Sequence, residues 1–155
     1  LIRSFYYSKK STTMLTLQER VRAIADRYKW KMGDLPNDKY RLDISIKLKD
    51  GRFRFQYVFI WLNPNDQGKT IYMNSRIGPY NNTLIYPLLK KTSANCRYSN
   101  LAIVPDQKDG KPIESFVIQA VPDVNISDEL LNKIIFEVGN VADYMEESFF
   151  GGDNV

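Results

Sequence analysis

The sequence predicts an α+β domain with the element order α-β-β-β-α-β-β-α, a five-stranded antiparallel sheet and helices packed on that sheet. One segment near each end repeats apolar residues at helical spacing. Between them, apolar and polar residues alternate in segments that meet at Asp50-Gly51 and Asp109-Gly110. An Asp-Gly dipeptide between two such segments is typical of a tight hairpin, so neighbouring strands are expected to be antiparallel.

The chain has 155 residues, 43% of them hydrophobic and 26% charged, which suits one globular domain. Residues 14–155 are predicted to form that domain, and residues 1–13 a flexible N-terminal tail. The first acidic residue is Glu19, and an acid-poor, serine-containing start is also typical of an organelle-targeting leader. We expect a cytoplasmic protein, with organellar import of a processed form as the alternative.

The first predicted helix begins with a capping box at Thr16 and Glu19. Its apolar stripe is formed by Leu17, Val21, Ile24, Ala25 and Tyr28. Gly33 and Pro36 are expected to end this helix and to open a loop.

Three strands of a meander are predicted next. Residues 40–49 alternate between apolar and polar, and the return strand at 52–62 is apolar on both faces in its second half, which is typical of a central strand. The third strand, at 69–77, is expected to lack a neighbour on one side and to offer an edge for pairing.

A short middle helix follows, with Asn82 as its cap. Proline is tolerated only in the first turn, so Pro87 means that this helix starts later than Asn82 or is kinked. Residues 101–104 and 113–121 are predicted strands, and Ser127 caps a long last helix. The apolar stripe of that helix is Leu131, Ile134, Ile135, Val138, Val141, Ala142, Met145 and Phe149.

The residue types present exclude several kinds of catalysis. The chain has no histidine, which excludes a Ser-His-Asp triad, a Cys-His pair and His-ligated metal sites. Its single cysteine, Cys96, cannot form an internal disulfide or a zinc cluster. Asp143, Glu146 and Glu147 are interpreted as solvated charges on the polar side of the last helix. The prediction is therefore a protein that is not an enzyme, with no cofactor and no metal.

Charge is distributed unevenly along the chain. The net charge is +4, but residues 1–54 hold 14 basic and 6 acidic side chains, whereas residues 106–155 hold 3 and 11. Such asymmetry can indicate nucleic-acid binding. Because no basic run is clustered, we interpret it as a basic hairpin and an acidic helix that neutralise each other in the fold.

Aromatic residues mark the return strand as the candidate binding surface. They recur at every second position, so they share one face, where they serve core packing or contact a partner. The predicted partner-binding residues are Phe53, Phe55, Tyr57, Phe59, Trp61 and Tyr72. The alternation of basic and aromatic residues is also typical of single-stranded nucleic-acid binding, and that alternative would use Arg41, Lys47, Arg52 and Arg54.

The end of the chain carries a family resemblance. It lies in Ile113-Glu-Ser-Phe-Val-Ile-Gln-Ala-Val-Pro122, Ser127-Asp-Glu-Leu-Leu-Asn-Lys-Ile-Ile135 and Val141-Ala-Asp-Tyr-Met-Glu-Glu147. Together with the element order, these segments resemble type III secretion chaperones of the Tir-chaperone type and the YbjN-like bacterial proteins, from about Thr16 to Phe149. The resemblance implies non-enzymatic protein binding of a chaperone or regulatory kind, on an apolar sheet surface.

Self-association is the last expectation, because the resembling proteins often pair through the middle helix. Here that helix has more apolar residues than one buried face needs. The predicted dimerisation residues are Leu84, Ile85, Leu88 and Leu89. No membrane insertion is expected, since no apolar stretch approaches the roughly 18 residues of a membrane-spanning helix.

Overall fold

A six-stranded antiparallel sheet with helices on one face forms the protein, as described for residues 15–151 by a computed structural model. The elements are α1 (Leu17–Tyr28), β1 (Lys31–Leu35), β2 (Lys39–Lys47), β3 (Phe53–Leu62), β4 (Ile71–Pro79), α2 (Ile85–Asn95), β5 (Asn100–Lys108), β6 (Lys111–Ala120) and α3 (Asp128–Phe150). The strands lie in the order β1-β2-β3-β4-β6-β5. The predicted α+β class is confirmed, but the sheet has one more strand than expected. The predicted tail at 1–13 lies outside the described residues.

The additional strand is β1, in a segment that the sequence predicts as a loop. Helix α1 ends before Gly33, because Lys29 adopts a left-handed conformation with φ 57° and its N–H bonds back to the carbonyls of Ala25 and Asp26. Gly33 then lies within β1, opposite Arg41 of β2. The expectation that Gly33 ends the helix is therefore wrong.

The hydrophobic core lies between the helices and one face of the sheet. Helix α3 crosses β3, β4 and β6, α1 covers β1 and β2, and α2 packs against β5 and α3. Close approach explains Gly139 in α3, because a β-carbon there would lie 2.8 Å from Cδ1 of Ile44. The four α3 residues expected in the core are fully buried: Leu131, Ile135, Val138 and Ala142.

Strand β4 has neighbours on both sides, so the expectation that the third predicted strand offers an edge is wrong. It pairs with β3 through Ile71–Asn74 and with β6 through Met73–Pro79. The edge strands of the sheet are β1 and β5. Pro105 lies in β5, as expected for a residue that cannot donate a backbone hydrogen bond.

The middle helix starts later than its first cap candidate. Asn81 caps a single 3-10 turn, Asn82–Leu84, and the α-helix begins at Ile85. Pro87 therefore occupies the first turn of α2, where its missing N–H costs no helical hydrogen bond. Across residues 15–151, no helix combines the length and the apolar character needed to cross a membrane.

Candidate interaction surface

The face of the sheet opposite the helices carries a row of aromatic side chains. Strand β3 alternates, so that Gln56, Val58 and Ile60 are buried under the helices and the aromatic side chains point the other way. We call Phe53, Phe55, Tyr57, Phe59 and Trp61 the aromatic row, and the sheet face that bears it the helix-free face. The predicted sharing of one face is confirmed.

Exposure varies along the aromatic row. Phe53 is 58% exposed, Phe55 59% and Tyr57 47%, so these three rings do not serve the core. Phe59 and Trp61 are half-buried. Trp61 packs against Tyr72 of β4 with ring centroids 4.6 Å apart, and the Tyr72 hydroxyl donates to Oε1 of Gln119 at 2.9 Å. All six predicted partner-binding residues therefore lie together on the helix-free face.

Basic side chains of β1 and β2 flank the aromatic row. Nζ of Lys39 lies 4.5 Å from the ring centroid of Trp61, and the Arg41 guanidinium lies 4.8 Å from that of Tyr57. Arg41 also donates from Nε to Oδ1 of Asp43 at 2.8 Å. Such cation–π contacts hold cations beside the rings, so this part of the surface is both aromatic and positive.

Arg52 lies in the turn immediately before Phe53. Its Nε donates to Oδ2 of Asp50 at 2.7 Å, and its side chain is 79% exposed. The hydrogen bonds from Arg52 to the Asp50 carboxylate lower the pKa of Asp50. Lys47, the neighbour of Phe53 across the β2–β3 pair, is exposed as well.

Arg54 points to the opposite side of the sheet, where it binds α3. Its Nε donates to Oδ1 of Asp143 at 2.9 Å, and one terminal nitrogen donates to Oδ2 of Asp143 at 2.6 Å and to Oε2 of Glu147 at 2.8 Å. The Arg54 and Asp143 side chains are only 12% and 11% exposed. The prediction that Arg54 is one of the nucleic-acid-binding residues is therefore wrong. Its place in the strand already indicates this, because a residue between outward-facing Phe53 and Phe55 points to the opposite face.

The same ion pairs correct the interpretation of the α3 carboxylates. Asp143 is buried and paired, and it is not a solvated charge. Glu147 is exposed, and its hydrogen bond from Arg54 lowers its pKa. Burying a charge is costly unless it is paired, so Arg54 is the residue that permits Asp143 in this position.

A cavity of about 430 Å³ lies where β3 and β4 separate. The two strands pair only where Phe59–Leu62 face Ile71–Asn74, while β2 accompanies β3 back to Phe53. We call this separation the inter-strand gap. Its lining consists of Phe55, Gln56, Tyr57, Phe59, Arg76, Ile77 and Glu146. The lining thus combines rings of the helix-free face with Glu146 of α3.

Two buried polar side chains hold the gap at a fixed width. Nε2 of Gln56 donates to Oγ of Ser75 at 2.8 Å and to the carbonyl of Arg76 at 2.9 Å, and Oγ of Ser75 donates to the carbonyl of Tyr57 at 2.7 Å. Side chains thus replace the backbone pairing that would close the sheet here. The pattern of apolar and polar residues gave no signal for this arrangement.

A bulge in β4 lets this strand follow β6 away from β3. The pairing register between β4 and β6 shifts between Arg76 and Gly78. The end of α3 approaches the bulge closely and favours glycine there, because a β-carbon on Gly78 would lie 2.8 Å from the ring of Phe150. The bulge therefore depends on the end of α3 as well as on β4.

Arg76 forms the far rim of the gap. Its Nε donates to Oδ2 of Asp106 at 2.9 Å and to Oγ of Ser115 at 3.2 Å. Burial raises the pKa of Asp106, but hydrogen bonds from Ser115, from the N–H of Gln107 and from Arg76 together lower it further, so the net shift is downward. The carboxylate is therefore held in its ionised form beside Arg76.

A second apolar patch lies on α2. Tyr86 is 72% exposed, Leu89 51% and Ile85 37%, whereas Leu84 is half-buried. Leu88 is fully buried and cannot form part of a surface contact, so its assignment to dimerisation was wrong. Tyr86 is not among the predicted dimerisation residues, which are all aliphatic, although it lies on the same helix. Within residues 15–151, no group of three or more acidic or cysteine side chains has the arrangement of a metal site.

Comparison with known proteins identifies the fold. No family model matches the chain, and no curated protein matches its sequence. Four chains of solved structures match, and one of them is the crystal structure of "YbjN, a putative transcription regulator from E. coli", with a TM-score of 0.53 and 12% sequence identity. The match covers 90% of this chain and 96% of that one. The YbjN part of the expected resemblance is thus confirmed for the fold, and the secretion-chaperone part stays a prediction.

Proposed function

We propose that this protein is a non-enzymatic protein-binding domain of chaperone or regulatory type, which binds an extended segment of a partner on the helix-free face. The observation that carries the proposal is the exposure of three consecutive rings of the aromatic row, Phe53, Phe55 and Tyr57, on a sheet face opposite all three described helices. Adjoining apolar side chains exposed in this way are typical of protein interaction sites.

The geometry of the row suits an extended segment. Rings at every second residue of a strand are about 6.6–7 Å apart, which is also the spacing of same-face side chains in a second extended chain. Tyrosine and tryptophan are the side chains most often found as binding anchors, and Tyr57, Trp61 and Tyr72 supply them here. The row therefore offers evenly spaced contacts to a linear segment.

Site-specific photo-crosslinking tests the proposal. A photoreactive residue in place of Phe55 is expected to capture a partner protein in cells, whereas the same residue in place of exposed Lys133 on α3 is expected not to capture it. With the purified partner, changing Phe53, Phe55 and Tyr57 together to serine should weaken binding by about a hundredfold, since buried aromatic contacts dominate interface energy. Unchanged affinity of a folded triple variant would reject the proposal.

Binding of single-stranded nucleic acid to the same face is the second candidate. The observation that favours it is the pairing of cations with rings, Lys39 with Trp61 and Arg41 with Tyr57, because bases stack on aromatic rings while cations contact phosphates. The description of YbjN as a regulator of transcription is compatible with either candidate. Arg41, Lys47 and Arg52 would carry the phosphate contacts, without Arg54.

Salt dependence separates the two candidates. Affinity for an oligonucleotide falls steeply with salt because counterions are released, whereas contact through apolar side chains is much less sensitive. We expect no submicromolar binding of single-stranded or double-stranded oligonucleotides near physiological salt. Tight binding that Arg41→Glu with Arg52→Glu abolishes would reverse the order of the two candidates.

Self-association through α2 and a cytoplasmic location complete the proposal. Ile85, Tyr86 and Leu89 form an outward apolar stripe beside inward-facing Leu88, and a helix that is apolar beyond one stripe usually has a second partner. A two-fold dimer would bring the same stripe of each copy together. The dimer would leave the helix-free face accessible, because α2 lies on the other side of the sheet.

A further inference from the structure

We propose that the inter-strand gap receives one large apolar side chain of the bound segment, and that this segment carries carboxylates beside that anchor. The inference rests on the proposed function, because it assigns the anchor point of the same partner. A gap within a sheet is unusual, since adjacent strands gain backbone hydrogen bonds by closing. Here the side chains of Gln56 and Ser75 donate hydrogen bonds to the carbonyls of Arg76 and Tyr57. These bonds take the place of backbone pairing, so the strands stay apart.

The walls of the gap define the chemistry of the anchor. Four of the seven lining residues are aromatic or aliphatic, namely Phe55, Tyr57, Phe59 and Ile77, and the cavity volume of about 430 Å³ accommodates one phenylalanine or leucine side chain with room to spare. An anchor that enters a pocket and loses its water is the usual centre of a binding interface. The exposed rings around the gap would then close over the backbone of the bound segment.

Positive charge on β1 and β2 favours carboxylates in the partner segment on either side of the anchor. On the helix-free face, β1 and β2 carry Lys31, Lys39, Arg41 and Lys47, and one carboxylate, Asp43, which Arg41 pairs. Strand β2 pairs with β3 along the aromatic row, and Lys39 and Arg41 lie against rings of that row, so a segment anchored in the gap passes close to these two cations. Carboxylates near the anchor are complementary to them, and lysines in the same places are not.

A matched set of synthetic peptides tests the inference without a known partner. The probe is an extended peptide of about nine residues, mostly threonine, with phenylalanine at its centre and aspartates two residues to either side, because same-face side chains in extended chains recur at every second residue. The comparison peptides replace the central phenylalanine with serine, the central phenylalanine with arginine, or both aspartates with lysine. A single-stranded thymidine oligonucleotide of similar length is the fifth probe. Binding is followed by backbone amide chemical shifts of the labelled protein.

The expected result is a shift of the amides of Phe55, Tyr57 and Ile77 by the central-phenylalanine peptide. Its affinity should exceed that of the central-serine and lysine peptides by about tenfold each, the effect of losing the anchor or of losing both favourable charge contacts. Phe55→Ala should weaken binding by about tenfold, and by more than Phe53→Ala, which removes an equally exposed ring that contacts the segment outside the gap.

Four outcomes would overturn the inference in distinguishable ways. Equal losses for Phe53→Ala and Phe55→Ala, or no preference for central phenylalanine over serine, would leave the helix-free face as the binding surface but remove the gap as its anchor. Tighter binding of the central-arginine peptide would show a cationic anchor facing Glu146. Tighter binding of the oligonucleotide would show a nucleic-acid surface. Shifts by no probe on the helix-free face would count against the gap and the proposed function together.

Discussion

Arg54 shows that a shift of one position along a strand decides on which face of the sheet a charged side chain lies. Its neighbours Phe53 and Phe55 are exposed on the helix-free face, whereas Arg54 lies on the other face and forms a two-point ion pair with Asp143. Paired hydrogen bonds between a guanidinium and a carboxylate are among the strongest polar contacts in proteins. The residue therefore fixes the last turns of α3 to β3.

Arg54→Ala is expected to lower the free energy of unfolding by about 3–5 kcal/mol, because it leaves Asp143 buried without its partner. Arg52→Ala, two residues away and largely exposed, should change it by less than about 0.5 kcal/mol. Urea unfolding followed by circular dichroism measures both. Arg54→Met combined with Asp143→Leu should recover most of the loss, since apolar groups can replace a buried ion pair. A single Arg54→Ala variant as stable as the Arg52 control would contradict the structural role.

The alternation of residues in β3 explains which part of the site could be predicted from the sequence. Every second residue of β3 points to the same side, so the shared face of the aromatic row followed from the sequence. The inter-strand gap did not, because it depends on a hydrogen bond between Gln56 and Ser75 and on a bulge made possible by Gly78 against Phe150. These contacts join residues far apart in the chain, and no local pattern encodes them.

At the scale of whole elements, long periodic segments were predictable and short irregular ones were not. Helix α3 repeats apolar residues over 23 positions, its capping serine lies where the sequence indicated, and it ends at Gly151 in a left-handed conformation. Strand β1 has five residues, Lys31–Leu35, which include a glycine and two charged residues and show no apolar alternation. It exists because the turn after Pro36 returns the chain along β2, which supplies the hydrogen-bond partners.

Helix α3 is expected to carry much of the stability of the fold. Ile135 is fully buried in the first half of this helix, so Ile135→Ala should lower the free energy of unfolding by about 2–5 kcal/mol through lost burial and the cavity left behind. Lys133→Ala on the exposed side of α3 is the control and should change it by less than about 0.5 kcal/mol. Thermal unfolding of both variants provides the test, and an unchanged melting temperature for Ile135→Ala would remove α3 from the core.

At the scale of the molecule, the charge asymmetry along the chain becomes a set of ion pairs between its two ends. Arg20 of α1 donates to Asp128 of α3 at 2.7 Å and also to the carbonyls of Val124 and Ile126. Arg54 pairs with Asp143 and Glu147 in the same way. The basic first third and the acidic last third thus neutralise each other in part, as predicted. The cations of β1 and β2 on the helix-free face do not take part in these ion pairs between the two ends of the chain.

A dimer formed through α2 would cover the apolar patch on that helix and leave the aromatic row accessible to a partner. Adjacent leucines provide a matched test. Leu89 is 51% exposed, so Leu89→Glu should split a dimer and leave the fold intact, because it places a charge in the contact. Leu88 is fully buried, so Leu88→Glu should unfold the protein instead.

Sedimentation at several concentrations, with circular dichroism to confirm folding, measures both effects. The wild type is expected at twice the chain mass of 18.1 kDa, and folded Leu89→Glu at the chain mass itself. A wild type that sediments near 18.1 kDa at every concentration would exclude the dimer. The α2 stripe would then be a second surface open to a different partner, and binding on the helix-free face would have to be measured with Ile85, Tyr86 and Leu89 changed as well.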